Sequence, residues 1–159
     1  MQIREIRKED NVELARVIRS ILEEHGVARP GTVYTDPTTD ALFELFQEEG
    51  SAYFVAIDKG KIIGGCGIFP TVGLPSGMSE LVKLYLLDTY RGKGIGKELM
   101  MRSIEFAKNF GYESLYLETM DELSNAIQLY NNLGFKTIDG PLGDTGHFAC
   151  EIRMVKELS

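Results

Sequence analysis

Cysteine is scarce in this chain: two in 159 residues, Cys66 and Cys150. That number makes no disulfide framework and no metal-ligand spacing. Both thiols sit in strand-like runs, which reads as buried cysteines of a cytoplasmic protein. Long apolar runs are missing as well. No stretch approaches the ~20 residues of a membrane-spanning helix. The start, Met1-Gln-Ile-Arg-Glu-Ile-Arg-Lys, is charged throughout and offers no signal-peptide core. Surplus positive charge is absent too: a net charge of −7 works against nonspecific nucleic-acid binding and is compatible with a cationic amine as ligand. No internal repeat, low-complexity tract or linker divides the chain. What remains is an ordinary globular composition, 43% hydrophobic, suited to one domain over residues 1–159 that buries roughly 70% of its unfolded surface.

The most informative stretch runs from Leu84 to Leu99, LYLLDTYRGKGIGKEL. An apolar strand passes into the turn Arg91-Gly92-Lys93-Gly94-Ile95-Gly96 and then into an amphipathic segment reaching Phe110. Alternate glycines let the backbone approach a ligand and turn its N–H groups inward. A helix starting there adds unpaired N–H groups and the positive end of its dipole, so the turn is built to hold an anion such as a pyrophosphate. Two phosphate loops fail on spacing. A nucleotide P-loop needs Gly-Lys-Ser/Thr, and here Lys97 is followed by Glu98. The dinucleotide fingerprint needs glycine where Lys97 stands.

The pattern that fits is Arg/Gln-x-x-Gly-x-Gly/Ala, met by Arg91, Gly94 and Gly96. It resembles the coenzyme A pyrophosphate loop of the GNAT superfamily of N-acetyltransferases. Upstream, Glu80 to Leu87 looks like that family's central strand, and downstream Leu115 to Thr119 looks like the next one. Asn125 to Phe135, with Tyr130 and Gly134-Phe135, is similar to its second signature of a helix followed by Gly-Phe. The resemblance covers about Ile3 to Val155.

The remaining elements follow from periodicity. A first strand spans Ile3 to Arg7. Asp10 and Glu13 form a capping-box pattern before a helix carrying Leu14, Ile18, Ile21 and Leu22, which ends at His25-Gly26. The segment 27–37 is rich in turn formers. Asp36-Pro37 then opens a second helix with Leu42, Leu45 and Phe46, stopping at Gly50. Ala52–Ile57 and Lys61–Phe69 read as a hairpin through Asp58-Lys59-Gly60, with Gly64, Gly65 and Gly67 marking a bulge, a close backbone approach, or simply a small-residue strand packed under a helix. The helix after the glycine loop presents Ile95, Leu99, Phe106 and Phe110 on one face and stops at Gly111. Asp121 caps a further helix whose Leu123, Ile127 and Tyr130 share a face. Phe135–Ile138 and Phe148–Val155 close the chain. Strands outnumber helices, so the fold class is α/β (α+β) with a mixed sheet. The resemblance sharpens this to one GNAT-type domain: a mostly antiparallel sheet of about seven strands, splayed at its centre and flanked by about four helices.

The resemblance implies an acetyl-CoA-dependent N-acetyltransferase. The amine of a small molecule or peptide would attack the thioester directly in a ternary complex. The backbone of Gly92, Lys93, Gly94, Ile95, Gly96 and Lys97 would bind the pyrophosphate, with charge from Arg91 and Lys97. Main-chain groups of Leu86 and Leu87 would meet the pantetheine arm, as would Asn125. By pattern alone Tyr130 belongs to an apolar stripe; the resemblance makes it the acid that protonates the departing thiolate. Glu80 is either a solvated strand-end carboxylate or, by its place in the family, the base that deprotonates the acceptor ammonium. Arg29, Thr32, Tyr34 and His147 are candidates for the acceptor pocket, and the direction of Glu118 is open. Cys66 and Cys150 lack a base partner, which argues against an acyl-cysteine route. No metal, nucleic-acid or membrane partner is expected. Members of the family often pair as homodimers. Two rival readings stay open: transfer of a longer acyl group, and a non-catalytic acyl-CoA sensor.

Overall fold

The computed structural model describes residues 1–119, 124–143 and 152–158. Among these residues seven strands form one sheet, in the order β1-β2-β3-β4-β5-β7-β6. The strands are β1 (Gln2–Glu5), β2 (Ala52–Asp58), β3 (Lys61–Phe69), β4 (Met78–Leu86), β5 (Ser114–Thr119), β6 (Lys136–Ile138) and β7 (Ile152–Glu157). The helices are α1 (Asn11–Glu24), α2 (Leu42–Leu45), α3 (Ile95–Phe110) and α4 (Ser124–Asn132). Each neighbouring pair is antiparallel except β4–β5, which is parallel because α3 intervenes as a crossover.

Local sequence explains most of these boundaries. Lys59 (φ 53°) and Gly60 (φ 78°) both adopt left-handed conformations, and Asp58 pairs with Lys61, giving the two-residue turn whose twist suits a hairpin. In β2 successive side chains alternate faces: Tyr53 and Val55 join the core under α1, while Phe54 and Ala56 join the core under α3. Buried on both sides, β2 reads as a continuous apolar run. Gly111 takes φ 112° at the end of α3, as a left-handed C-cap requires.

Four expectations need correction. Asp10 and Glu13 do not form a capping box. The Asp10 carboxylate accepts from Arg4 (2.8 and 3.1 Å) and from the Arg7 N–H (2.7 Å), while Glu13 reaches away to the Ile62 N–H (2.8 Å) and ties α1 to β3. The second helix breaks in two. Asp36 caps a single 3-10 turn, Pro37–Asp40, and Ala41 (φ −136°) interrupts it before α2. The hydroxyls there favour other bonds: Thr38 donates to Asp36 (2.7 Å) and Thr39 to the Val33 carbonyl (2.8 Å), the local competition that makes Thr a poor helix interior. Phe110 is 47% exposed, beyond the apolar face of α3, and stacks on Phe106 and Tyr112 instead. The first strand ends at Glu5, two residues early. The expected cap at Asp121, Leu123 on the α4 stripe and the strand portion 148–151 lie outside the described residues.

Candidate active site

A splay in the sheet creates the site. Strand β4 pairs with β5 at Met78↔Ser114, Ser79↔Leu115 and Glu80↔Tyr116, and there the pairing ends, although both strands run on. On its other side β4 carries an extra residue: Gly65 faces Tyr85 and Gly67 faces Val82, so two steps in β3 oppose three in β4. The bulge centres on Lys83, whose φ of 55° is left-handed in a residue that is not glycine. Tyr53 holds it. The buried phenol donates to the Lys83 carbonyl (2.7 Å), and its ring fits only because β3 has no side chains in the way. A Cβ on Gly65 would lie 2.4 Å from the Tyr53 ring, and one on Gly67 2.6 Å from it. The β3 glycines therefore serve both a bulge and a close approach.

One cleft, about 390 Å³, opens between the end of β4, the glycine turn and α4. Gly92 (φ 77°) and Gly94 (φ 84°) need their missing side chains for conformation, and a Cβ at either would project into open space. Gly94 precedes the first turn of α3. The ladder of that helix begins with Glu98 N–H to Gly94 O (3.1 Å), so the amides of Ile95, Gly96 and Lys97 have no carbonyl one turn back to bond. Three donors and a helix dipole thus converge where an anion would sit. Arg91 is otherwise engaged: its guanidinium donates to the Leu86 carbonyl (2.9 Å), Glu24 (2.9 Å) and Asp88 (3.4 Å), so it braces the turn. The Lys93 ammonium lies 5.6 Å from the centroid of Tyr90.

Main-chain bonding separates the two β4 candidates. The Leu87 N–H donates to Ile63 O (2.9 Å), and the Leu87 carbonyl accepts from Tyr90 (3.0 Å). Both its groups are thus engaged within the chain. Antiparallel alternation turns Leu86 the other way, toward the gap beside β5, and its carbonyl indeed meets Arg91 there.

The second cleft lies inside the splay and has room for about 50 Å³. Thr32 and Val33 of the early loop, Glu80, Lys83, Leu117 and Glu118 line it. Thr71 donates to Glu80 Oε1 (2.5 Å), and Tyr116 donates to Glu118 Oε2 (2.6 Å). Tyr116 titrates well above an ordinary phenol, through burial first and this carboxylate second. Tyr130 lines both clefts. It is 6% exposed, with Phe135 edge-on to its ring at 5.9 Å. One phenol therefore forms the wall between an anion-binding cleft and an acid-lined one.

The model of the acetyltransferase (GNAT) family matches residues 16–135. The chain belongs to that family. Over 157 residues it is 43% identical to an uncharacterized N-acetyltransferase, YjgM, of Escherichia coli K12, covering 98% of this chain and 94% of that one. A GNAT-family acetyltransferase from Staphylococcus aureus Mu50 superposes with a TM-score of 0.88 at 25% identity, over 99% of both chains. YncA from Salmonella typhimurium, solved with its cofactor acetyl-CoA, gives a TM-score of 0.75 at 21% identity, over 100% of this chain and 94% of that one. The mixed sheet, splayed at its centre, is the GNAT fold, and this GNAT protein is an acyltransferase by family.

Within this GNAT protein the remaining candidates divide. Of the early loop, Thr32 and Val33 line the small cleft in the splay, while Tyr34 packs on the core under α1 with its carbonyl on Arg19 (3.3 Å). Asn125 lies in α4, but its side chain is outside the described residues, as is all of His147. Cys66 is buried, and burial raises its thiol to about 12, so it is no nucleophile. Among the described residues no cluster of His, Cys, Asp and Glu is placed to hold a metal, and no helix is long and apolar enough to cross a membrane. Sequence reasoning missed Lys83 and Asp36 in the splay and His25 at the rim of the anion cleft. A lysine inside the apolar run Leu81-Val-Lys-Leu-Tyr-Leu-Leu87 was the available signal for the first.

Proposed function

We propose that this protein transfers an acetyl group from acetyl-CoA to a primary amine of a small molecule or peptide, by direct attack within a ternary complex. One observation carries the reading: Tyr130 stands at the junction of the two clefts. The cofactor fits the residues present, because the α3 amides of Ile95, Gly96 and Lys97 lack internal partners and the cradle is open where a Cβ on Gly92 or Gly94 would intrude. Bound acetyl-CoA supplies an activated acetyl thioester.

The chain's own residues then divide the work. First-turn amides of α3, with Lys97, hold the diphosphate. The Leu86 amide, facing the gap, acts as a main-chain donor toward the pantetheine arm and the thioester carbonyl. Glu80, oriented by Thr71, accepts the proton that an ammonium acceptor must lose, since only a neutral amine is nucleophilic. Tyr130 gives its hydroxyl proton to the departing sulfur and is restored by the second proton, which the attacking nitrogen sheds as it becomes an amide. Holding both reactants beside that phenol supplies a large part of the acceleration.

Thiol release from acetyl-CoA across a panel of amines, with coenzyme A binding measured in parallel, tests the reading. Amine-dependent release supports it. Tight binding with no release from any amine overturns it in favour of a coenzyme-binding protein without turnover.

A further inference from the structure

Lys83 is the least explained residue of the splay. Its side chain is 4% exposed, and its ammonium has no hydrogen-bond partner among the described residues. The nearest acid is Asp36, at 3.9 Å, beyond hydrogen-bond reach. That carboxylate already accepts from the Thr38 N–H (2.9 Å) and the Thr38 hydroxyl (2.7 Å). Burial lowers the Lys83 pKa, opposed by the charges of Asp36 and Glu80. An ammonium carries three N–H groups, and leaving them unmet in a buried site is costly.

The position makes sense if a ligand completes it. Lys83 shares the acceptor cleft with Glu80, Glu118 and Tyr130. The cleft thus carries a cation and carboxylates together, within about 50 Å³, space for roughly four water-sized groups. We infer that the acceptor is an amine that also bears a carboxylate, as an α-amino acid does, with its carboxylate received by Lys83 and its ammonium directed to Glu80 and Glu118. A plain polyamine would bring a second cation beside Lys83, and an amine without a carboxylate would leave the ammonium with the 3.9 Å Asp36 pair and no hydrogen bond. The bulge is consistent with a side chain placed for use. A left-handed lysine held by Tyr53 is a strained arrangement, and such strain gathers where a side chain is aimed for use.

This inference rests on the acetyltransferase reading, so its test includes a readout that needs no turnover. Small amino acids and their amides, glycine with glycinamide and alanine with alaninamide, form matched pairs differing in the carboxylate. In the presence of coenzyme A, the acid of each pair should raise the melting temperature more than the amide. In turnover, the acid should have a kcat/KM about 10- to 100-fold higher, the range of one hydrogen bond to a charged group. Lys83→Met, which keeps an unbranched side chain without the charge, should collapse that ratio toward one. Equal stabilisation and equal kcat/KM within the pairs, or better use of the amides, overturns the inference even if acetyl transfer is robust. A ratio unchanged in Lys83→Met does the same. If that variant does not fold, the acid-against-amide comparison in the unaltered protein decides alone.

Discussion

The two clefts that meet at Tyr130 are made of different material. The anion cleft is main chain: the amides of Ile95, Gly96 and Lys97, the open turn of Gly92 and Gly94, and the outward face of Leu86. The proposed acceptor cleft is side chain: Glu80 from β4, Glu118 from β5, Lys83 from a bulge and Thr32 from a distant loop. A backbone site depends on a few glycines in one short segment and tolerates change elsewhere. A side-chain site needs several remote segments to arrive together, and its chemistry changes with each side chain they bring. One architecture can therefore keep a single donor and accept many acceptors.

Substitutions that affect one cleft and spare the other put this contrast to the test. The largest effect belongs to the shared wall. Tyr130→Phe should lower kcat about 10²- to 10⁴-fold, the usual contribution of a general acid, while coenzyme A affinity by calorimetry stays within twofold or so. Full turnover in that variant would remove Tyr130 as the acid. Next comes Gly94→Asp, which forces a side chain onto φ 84° and sets a carboxylate among the anion-binding amides. Coenzyme A affinity should drop about 10- to 100-fold, from strain of roughly 1–2 kcal/mol and like charge. Unaltered affinity there would undo the anion-site assignment.

Gly65→Ala acts on the acceptor side through the fold. Its Cβ would lie 2.4 Å from the Tyr53 ring, so denaturant titration should show a loss of about 1–3 kcal/mol, the cost of overpacking. Tyr53→Phe should cost a comparable or smaller amount, since it strips the Lys83 carbonyl of its partner. If Tyr53→Phe weakens coenzyme A binding as much as it weakens acceptor use, the two clefts are not separable. The smallest effect is none at all. With its thiol raised to about 12 by burial, Cys66 should stay unmodified when native protein meets iodoacetamide at pH 8, as peptide mass spectrometry would report.

What could be read in advance follows the same division. The glycine turn, the α3 start, the hairpin at Lys59-Gly60 and the place of Tyr130 all lie in local pattern. Each depends on residues within a turn or two of one another. The acceptor cleft depends on register. Whether Glu118 faces Glu80 is set by the three-rung pairing of β4 with β5, and Lys83 points where it does because Tyr53, thirty positions away, holds its carbonyl. The broken second helix has a local cause, the Thr38 and Thr39 hydroxyls bonding Asp36 and the Val33 carbonyl, whereas the missing capping box is set by contacts farther off. Asp10 and Glu13 look like a cap from the sequence, but Arg4 and the Ile62 amide compete for them through contacts that spacing does not reveal.

The seam between β4 and β5 also bears on how the chain assembles. Strands β2, β3 and β4 pair with sequence neighbours across short connections, contacts that close early because little chain entropy is lost. Each rung of the parallel seam instead joins positions 36 apart (114 − 78), with the whole of α3 to be laid down between them. Non-local closures of this kind slow folding, so the join that opens room for both reactants should form after the β2–β4 meander, together with the still longer-range β1–β2 pairing of Gln2 with Ile57.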